Sequence, residues 1–400
     1  MKILFVHDNF PAQFGAFGAW LENRGWDVRF ATAWSGGKAD DPRFLRYKTH
    51  RALTQGVHPY AANFEKAVIT GQAAARAFLD AREKRYAPDI VMAHSGWGPG
   101  MFARDLWPQA RFVPYLEWWY EYPPPDDLSL GTHTPDPHAQ LRQRARNAPF
   151  LLDMEGAALN ICPTSYQASR FPAALRAQLT VIHDGIDCAL HAPAAAPVGA
   201  VAGLDLSAMP EIVTFVTRGM EPHRGFPQFM RALAALQKAR PGLHALIGGE
   251  DRVSYGAKLP EGDSWKARLL NELQGQIDLG RTHFIGLQPR DEYVKALQAS
   301  NAHVYLTADF VLSWSMLEAM AVGCPLIVSD CAPVREFMTE ETGLFCGLHD
   351  EAALTRRIAE ALDDRSAMRR RGAAARATII ERCDREHLWP RKEALLRALL

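Results

Sequence analysis

The stretch from Ala302 to Phe337, AHVYLTADFVLSWSMLEAMAVGCPLIVSDCAPVREF, constrains the fold more than any other part of the chain. Val304-Tyr305-Leu306 is a short β-branched and aromatic run, and Pro325-Leu326-Ile327-Val328 is a second. Between them Met316, Leu317 and Met320 recur at helical spacing with small Ala319 and Ala321, the pattern of a helix packed closely on a sheet. Gly323 marks the end of that helix, where a left-handed residue is cheap. Strand, helix and strand in this order make a βαβ unit, whose crossover requires parallel strands. Ligands of such units bind outside the carboxyl ends of the strands. The loop Thr307 to Ser315 is therefore expected to face a crevice, with Ser313, Trp314 and Ser315 beside the ligand.

Glu318 admits two readings. Ser315-Met316-Leu317-Glu318 fits the S-x-x-E capping box, in which the Glu closes its own helix start. Alternatively, a carboxylate one turn into a helix at a strand-end crevice accepts hydrogen bonds from two hydroxyls of a sugar. A second candidate lies after the apolar strand Ile212 to Val216, in Thr217-Arg218-Gly219-Met220-Glu221-Pro222-His223-Arg224-Gly225. Glycines and arginines between a strand end and a helix N-terminus suit a diphosphate: the backbone can approach closely, helix amides face the anion, and guanidinium groups bind it in pairs. Arg218, Gly219 and Arg224 are the residues of interest, against the alternative of a surface loop with solvated arginines. Leu243 to Gly249 is a further strand with a glycine-rich end, so Gly249 joins the set.

At 400 residues the chain exceeds what one core usually serves, so two domains are expected. Forty-five basic side chains balance 45 acidic ones, which removes any global attraction to nucleic acid or anionic membrane. The six cysteines are scattered without a C-x-x-C pair, which argues against a zinc site or disulfide framework and for buried thiols in a reducing cytoplasm. No apolar run approaches the ~18 residues that span a bilayer. The Phe64–Arg85 helix leaves peripheral contact with the inner face of a membrane open, against a solvated charged face. No Walker A lysine, G-x-S-x-G, H-E-x-x-H or EF-hand loop is present, and no G-x-G-x-x-G follows the first strand of either half, which disfavours a dehydrogenase.

In the first half, Ile3 to Val6, Trp26 to Ala31, Pro88 to His94 and Phe112 to Glu117 read as strands. His94 ends its strand and so becomes a crevice candidate, although a lone His is more often packed or solvated. Glu117-Trp118-Trp119-Tyr120-Glu121 is an aromatic and acidic cluster; rings stack on sugar faces and carboxylates bind hydroxyls, so Glu117, Trp118 and Glu121 are candidate acceptor contacts. The alternative is a loop folded over the domain edge. Leu128–Pro137 reads as a mobile loop, Gln140–Gly156 as one amphipathic helix, and the Pro- and Ala-rich stretch from Ala192 as a linker.

The run from Leu317 to Asp330, L-E-A-M-A-x-G-x-P-x-(I/V)-x-S-D, resembles the second half of the E-x7-E signature of the retaining GT-B glycosyltransferases of family 4. The resemblance extends to "RGMEPHRG", similar to G-R-x-x-x-x-K-G, to "PDIVMAH", to "FIG" followed by Pro289, and to the opening "FVHDNF" with "RGWDV". It implies two Rossmann-like parallel-sheet domains facing a central cleft, with a C-terminal helix crossing back to the first. The domains would be residues 1–191 and 211–382, joined by a linker at 192–210, with the crossover helix at 383–400. It places Glu318 on the ribose of a sugar nucleotide, Arg218 and Arg224 on the diphosphate, Gly15 beneath it, Gly286 and Leu287 at the nucleobase, and His94 near the transferred sugar. Phe310 stands where the first Glu of the signature is expected, next to Asp309.

What the resemblance implies is transfer of a sugar, with retention, from a UDP- or GDP-linked donor to a hydroxyl of a glycan, a lipid-linked or a small-molecule acceptor, in bacterial polysaccharide or glycoconjugate synthesis. Neither a metal nor another cofactor is expected, and domain closure would exclude water. The alternatives are a GT-B sugar-nucleotide epimerase, or a nucleotide-sugar binding protein without catalysis.

Overall fold

The structure is a computed structural model and describes residues 1–38 and 40–400. Two compact units divide these residues: 1–124, 134–185 and 386–400 form the first, and 125–133 with 186–385 form the second.

The first unit is built on a parallel sheet of β1 (Lys2–Val6), β2 (Asp27–Thr32), β3 (Phe44–Arg46), β4 (Ile90–His94), β5 (Arg111–Tyr115), β6 (Asn160–Cys162) and β7 (Leu179–Val181), in the order β3-β2-β1-β4-β5-β6-β7. Its central strands are apolar on both faces because helices cover both sides. Ile3 and Phe5 face one core with Phe14, Phe17 and Trp26; Leu4 and Val6 face another with Ala74 and Phe78. The helix Ala62–Glu83 spends its apolar face on that second core, burying Ile69, Ala73, Ala74 and Phe78. The C-terminal helix Arg385–Arg397 packs against the same sheet: Trp389 lies 5.9 Å from the Phe17 ring, and Glu393 accepts from Trp26 Nε1 at 2.9 Å and Arg24 Nε at 2.6 Å.

After the small hairpin of β8 (Ala200–Val201) and β9 (Leu204–Asp205), the second unit repeats the theme. Its parallel sheet is formed by β10 (Glu211–Gly219), β11 (Leu243–Glu250), β12 (Thr282–Gly286), β13 (Ala302–Tyr305), β14 (Leu326–Ser329) and β15 (Leu344–Cys346), in the order β12-β11-β10-β13-β14-β15. β13 and β14 pair in parallel, Val304 opposite Ile327, with the helix Trp314–Val322 between them. Gly323 ends that helix at φ +79°. In each sheet the strand order reverses beside the first strand, at β1/β4 and at β10/β13, the positions where open α/β sheets leave a crevice.

Several expectations need correction. The stretch read as a linker is part of the second unit: Val201 and Leu206 pack with Ile212, Leu246 and Ala296, because its scattered apolar residues find a sheet edge to cover. The stretch read as a mobile loop contains the helix Pro125–Leu130 and belongs to the second unit, where Ser129 Oγ accepts from Asp309 N at 3.0 Å. The single helix Gln140–Gly156 is two, Pro137–Arg146 and Ala148–Met154. Asn147 separates them, its side chain bound to both backbone groups of Tyr120.

Candidate functional site

The second unit holds a cavity of about 500 Å3 at the carboxyl ends of its central strands. Its wall takes Thr217 and Arg218 from the end of β10, Gly248 and Gly249 from β11, Gly286 and Leu287 from β12, and Ser313 to Ser315 and Glu318 from the segment after β13. Sequence reasoning had singled out eight of its lining residues: Arg218, Gly249, Gly286, Leu287, Ser313, Trp314, Ser315 and Glu318. At Gly249 the geometry demands glycine, since φ is +130° and a Cβ would sit 2.1 Å from the Thr217 carbonyl oxygen. Leu287 and Trp314 stay 71% and 37% exposed at the same cavity, apolar surface available to a flat ligand.

Glu318 is not the closing residue of a capping box. The helix begins two residues earlier than that motif needs: Ser313 is the cap, accepting from Ser315 N at 3.3 Å, because its extended backbone aims the hydroxyl at the first turn. Glu318 instead turns into the cavity, where Arg290 Nη1 donates to Oε1 at 2.8 Å and Tyr293 OH donates to Oε2 at 2.9 Å. Burial, then the Glu318 charge, push the Tyr293 phenol far up, so it stays a donor. Two of the four lone-pair directions of the carboxylate are therefore filled and two remain for a ligand. Arg290 and Tyr293 were missed by sequence reasoning. Their pairing with Glu318 spans 28 and 25 residues, and only the fold brings them together.

Arg218 is exposed at the cavity wall, whereas Arg224 lies outside the lining and is buried at 6% exposure. Its Nη1 donates to Thr307 Oγ1 at 2.7 Å and to Tyr305 OH at 3.3 Å, and the Tyr255 ring lies 4.8 Å from its guanidinium carbon. Among the described residues no carboxylate forms an ion pair with it. Buried Glu221 favours its charge from a distance, but no carboxylate sits on the guanidinium itself, which leaves it donors for an anion. Glu221, fully buried, accepts from the amides of Ser254, Tyr255 and Gly256 and so fixes Tyr255 over Arg224. Phe310, at the position of the first signature Glu, lies against Tyr255 with ring centroids 5.8 Å apart. Gly219 also lies outside the cavity lining; a Cβ there would meet Arg252 O at 2.6 Å.

The first unit gathers a second cluster at the β1/β4 switch. His94 is 2% exposed, and its Nε2 lies 3.2 Å from Glu117 Oε2. Gln13 Nε2 donates to the other oxygen of Glu117 at 3.1 Å. Burial works against a charged Glu117, but the His94 imidazole and the Gln13 amide outweigh it and hold the carboxyl below its usual range. His7 meets the His94 ring edge-on at 4.8 Å, and burial, reinforced by His94, drives its pKa down to about 3. Gly15 opens the helix Gly15–Glu22 with its amide donated to Pro11 O at 2.7 Å, so that amide is already in use.

The aromatic loop after β5 is not an open platform. Trp118 is 6% exposed, Trp119 packs 5.4 Å from Phe171, and Glu121 pairs with Arg170 at 3.1 Å. A small core of Leu116, Phe150 and Phe171 had apolar surface to cover, and Trp119 and Tyr120 cover it, while Trp118 packs by Tyr166. Among the described residues, no group of three or more His, Cys, Asp or Glu is placed to hold a metal ion, and no helix is long and apolar enough to cross a membrane.

Comparison with known proteins agrees with this architecture. Residues 24–190 match the glycosyl transferase family 4 group, and residues 203–378 match the glycosyl transferases group 1. A glycogen synthase of Mycobacterium tuberculosis is 26% identical over 304 residues, 74% of this chain and 66% of that protein, just under two thirds of its length. Sucrose-phosphate synthase from Thermosynechococcus elongatus superposes with a TM-score of 0.73 at 19% identity, covering 100% of this chain and 99% of the other. Anabaena HepE, crystallised with UDP and glucose, gives 0.72 at 15% identity, with 100% of both chains covered. The two parallel-sheet units are those of the GT-B fold, and the chain belongs to the group 1 glycosyltransferases of family 4.

Proposed function

We propose that the protein transfers a sugar from a nucleoside diphosphate sugar to a hydroxyl acceptor with retention of anomeric configuration. The observation that carries this reading is the cavity of the second unit, whose glycine-lined wall holds both a guanidinium, Arg218, and a half-satisfied carboxylate, Glu318. A nucleoside diphosphate presents the complementary groups: two ribose hydroxyls for the carboxylate and a doubly anionic bridge for the guanidinium. Leu287 and Trp314 offer the base an apolar surface. Arg224, buried with no ion-paired carboxylate among the described residues, is assigned to the distal phosphate, where charge grows as the sugar leaves.

In this assignment guanidinium groups and helix amides neutralise the leaving diphosphate. The acceptor hydroxyl is held on the leaving-group face, close enough for the departing phosphate oxygen to take its proton. The UDP in the Anabaena HepE crystal makes uridine the first base to try.

The test is incubation with UDP-glucose, UDP-galactose and GDP-mannose plus a set of methyl glycosides and short glucans, following nucleoside diphosphate release and the anomeric proton of the product. An α-linked donor should yield an α-linked product. A β-linked product would contradict retention, and epimerised donor without transfer would replace the reading with an isomerase.

A further inference from the structure

Trp97 has no part in the donor site, yet it is 40% exposed at the β1/β4 switch of the first unit. It sits in the turn Ser95-Gly96-Trp97-Gly98 that follows β4. Both glycines are left-handed, at φ +93° and +92°. A Cβ at Gly98 would lie 2.0 Å from the Ala67 carbonyl oxygen, and one at Gly96 would lie 2.3 Å from the Phe150 ring. The backbone is thus seated tightly against its neighbours and fixes where the indole stands. One side of that indole stacks on His94, with centroids 4.3 Å apart and planes at 21°, and the His7 ring meets it edge-on at 5.5 Å. An aromatic side chain held this firmly with much of its surface in water is preorganised for something apolar and flat.

The polar half of the cluster points to the same kind of ligand. His94 Nε2 lies against Glu117 Oε2, which turns its Nδ1 away from that carboxylate. That Nδ1 is buried and has no hydrogen-bond partner. The Glu117 side chain is 25% exposed and can only accept. The exposed part of the indole and the Glu117 carboxylate, joined through His94, suit a pyranose, whose axial C–H bonds lie on an aromatic face while a hydroxyl donates to the carboxylate.

We propose that Trp97, His94 and Glu117 form a pyranose-binding platform for the acceptor, with Trp97 selecting a sugar ring over a linear polyol. The role of acceptor in this proposal rests on the transferase reading above; the sugar platform itself does not. It moves the acceptor contact away from Trp118 and Glu121, which packing and Arg170 already occupy.

The experiment is saturation-transfer-difference NMR on the full chain with methyl glycosides of glucose, galactose and mannose, and with glycerol as the linear control, all in the presence of UDP. Wild type, Trp97→Phe and Trp97→Leu are compared, the last keeping apolar volume without an aromatic face. Thermal stabilisation by UDP, recorded on each, reports the second unit and the folded state. The proposal predicts transfer to the protons of one pyranose face in wild type and Trp97→Phe, its loss in Trp97→Leu, no signal from glycerol, and the same UDP shift in all three. Absence of glycoside signal in wild type, or an undiminished signal in Trp97→Leu, would overturn it. If UDP stabilises no form while the glycoside pattern holds, the donor reading fails and the pyranose platform stands.

Discussion

Replacing Arg224 by Met separates a ligand-binding cation from a structural one. A buried Arg that compensates a protein carboxylate typically costs 3–5 kcal/mol when removed, because the partner is stranded. Arg224 makes no ion pair among the described residues; buried Glu221, which favours its charge from a distance, keeps its three amide donors, and the hydroxyls Arg224 touches stay bonded without it. Thr307 Oγ1 still donates to Ala308 O at 3.0 Å, and Tyr305 OH still accepts from Ser313 N at 3.2 Å. Two hydrogen bonds of about 1 kcal/mol each are lost, and the desolvation penalty of a buried charge is relieved. The net change in unfolding free energy should stay within about 2 kcal/mol in either direction. Ligand binding should respond differently. A charge-assisted contact to phosphate of up to about 3 kcal/mol corresponds to roughly a hundredfold loss of affinity. UDP at 100 times its Kd stabilises the wild type by about 2.7 kcal/mol; after a hundredfold loss the same concentration gives only about 0.4 kcal/mol. Urea titration with and without UDP reads both quantities. A loss of 3–5 kcal/mol without ligand, together with an intact UDP increment, would refute the reasoning and make Arg224 a structural cation.

Other perturbations probe separate parts of the account. Glu318→Gln should weaken UDP about tenfold or more while leaving pyrophosphate binding unchanged, because only the nucleotide brings ribose hydroxyls; calorimetric titration of both ligands measures this. Gly249→Ala forces a side chain into φ +130° against the Thr217 carbonyl, so the melting temperature should fall by an amount equivalent to about 1–3 kcal/mol. Burial raises the Asp153 carboxyl to about 7, above the ordinary value of about 4, so the native state holds its proton where the unfolded chain has lost it. Its contribution is fully present below pH ~4 and drains away up to pH ~7, at about 1.4 kcal/mol per pH unit. Asp153→Asn, always neutral, should therefore gain on wild type between pH 5 and 8 in urea titrations at each pH; parallel pH profiles would show that Asp153 ionises normally in the folded state.

The strand and helix frame of both units was legible because their runs carry a clear period. Val304 to Leu306 and Pro325 to Val328 have no reading but buried strands, and Gly323 closes the helix between them as expected. The three-residue edge strand Phe44–Arg46 escaped notice, being too short to show alternation. Local motif logic failed at Ser315 and Glu318: the S-x-x-E spacing is present, but Ser313 reaches the helix start first and the cavity claims Glu318. The burial of Trp118 was not legible, because composition cannot tell an exposed ring from a packed one. Trp97 was passed over as part of a turn; its two flanking glycines were the available signal. The glycine and arginine positions of the donor cavity were readable because their chemistry is local, whereas Arg290 and Tyr293 join it from another helix.

The most direct test of the central claim is amide hydrogen exchange of the full chain with and without UDP. The account predicts protection concentrated at 216–218, 248–249, 285–296 and 313–318, the four segments that wall the cavity of the second unit. Protection confined to other segments, or none under concentrations that saturate binding, would contradict it.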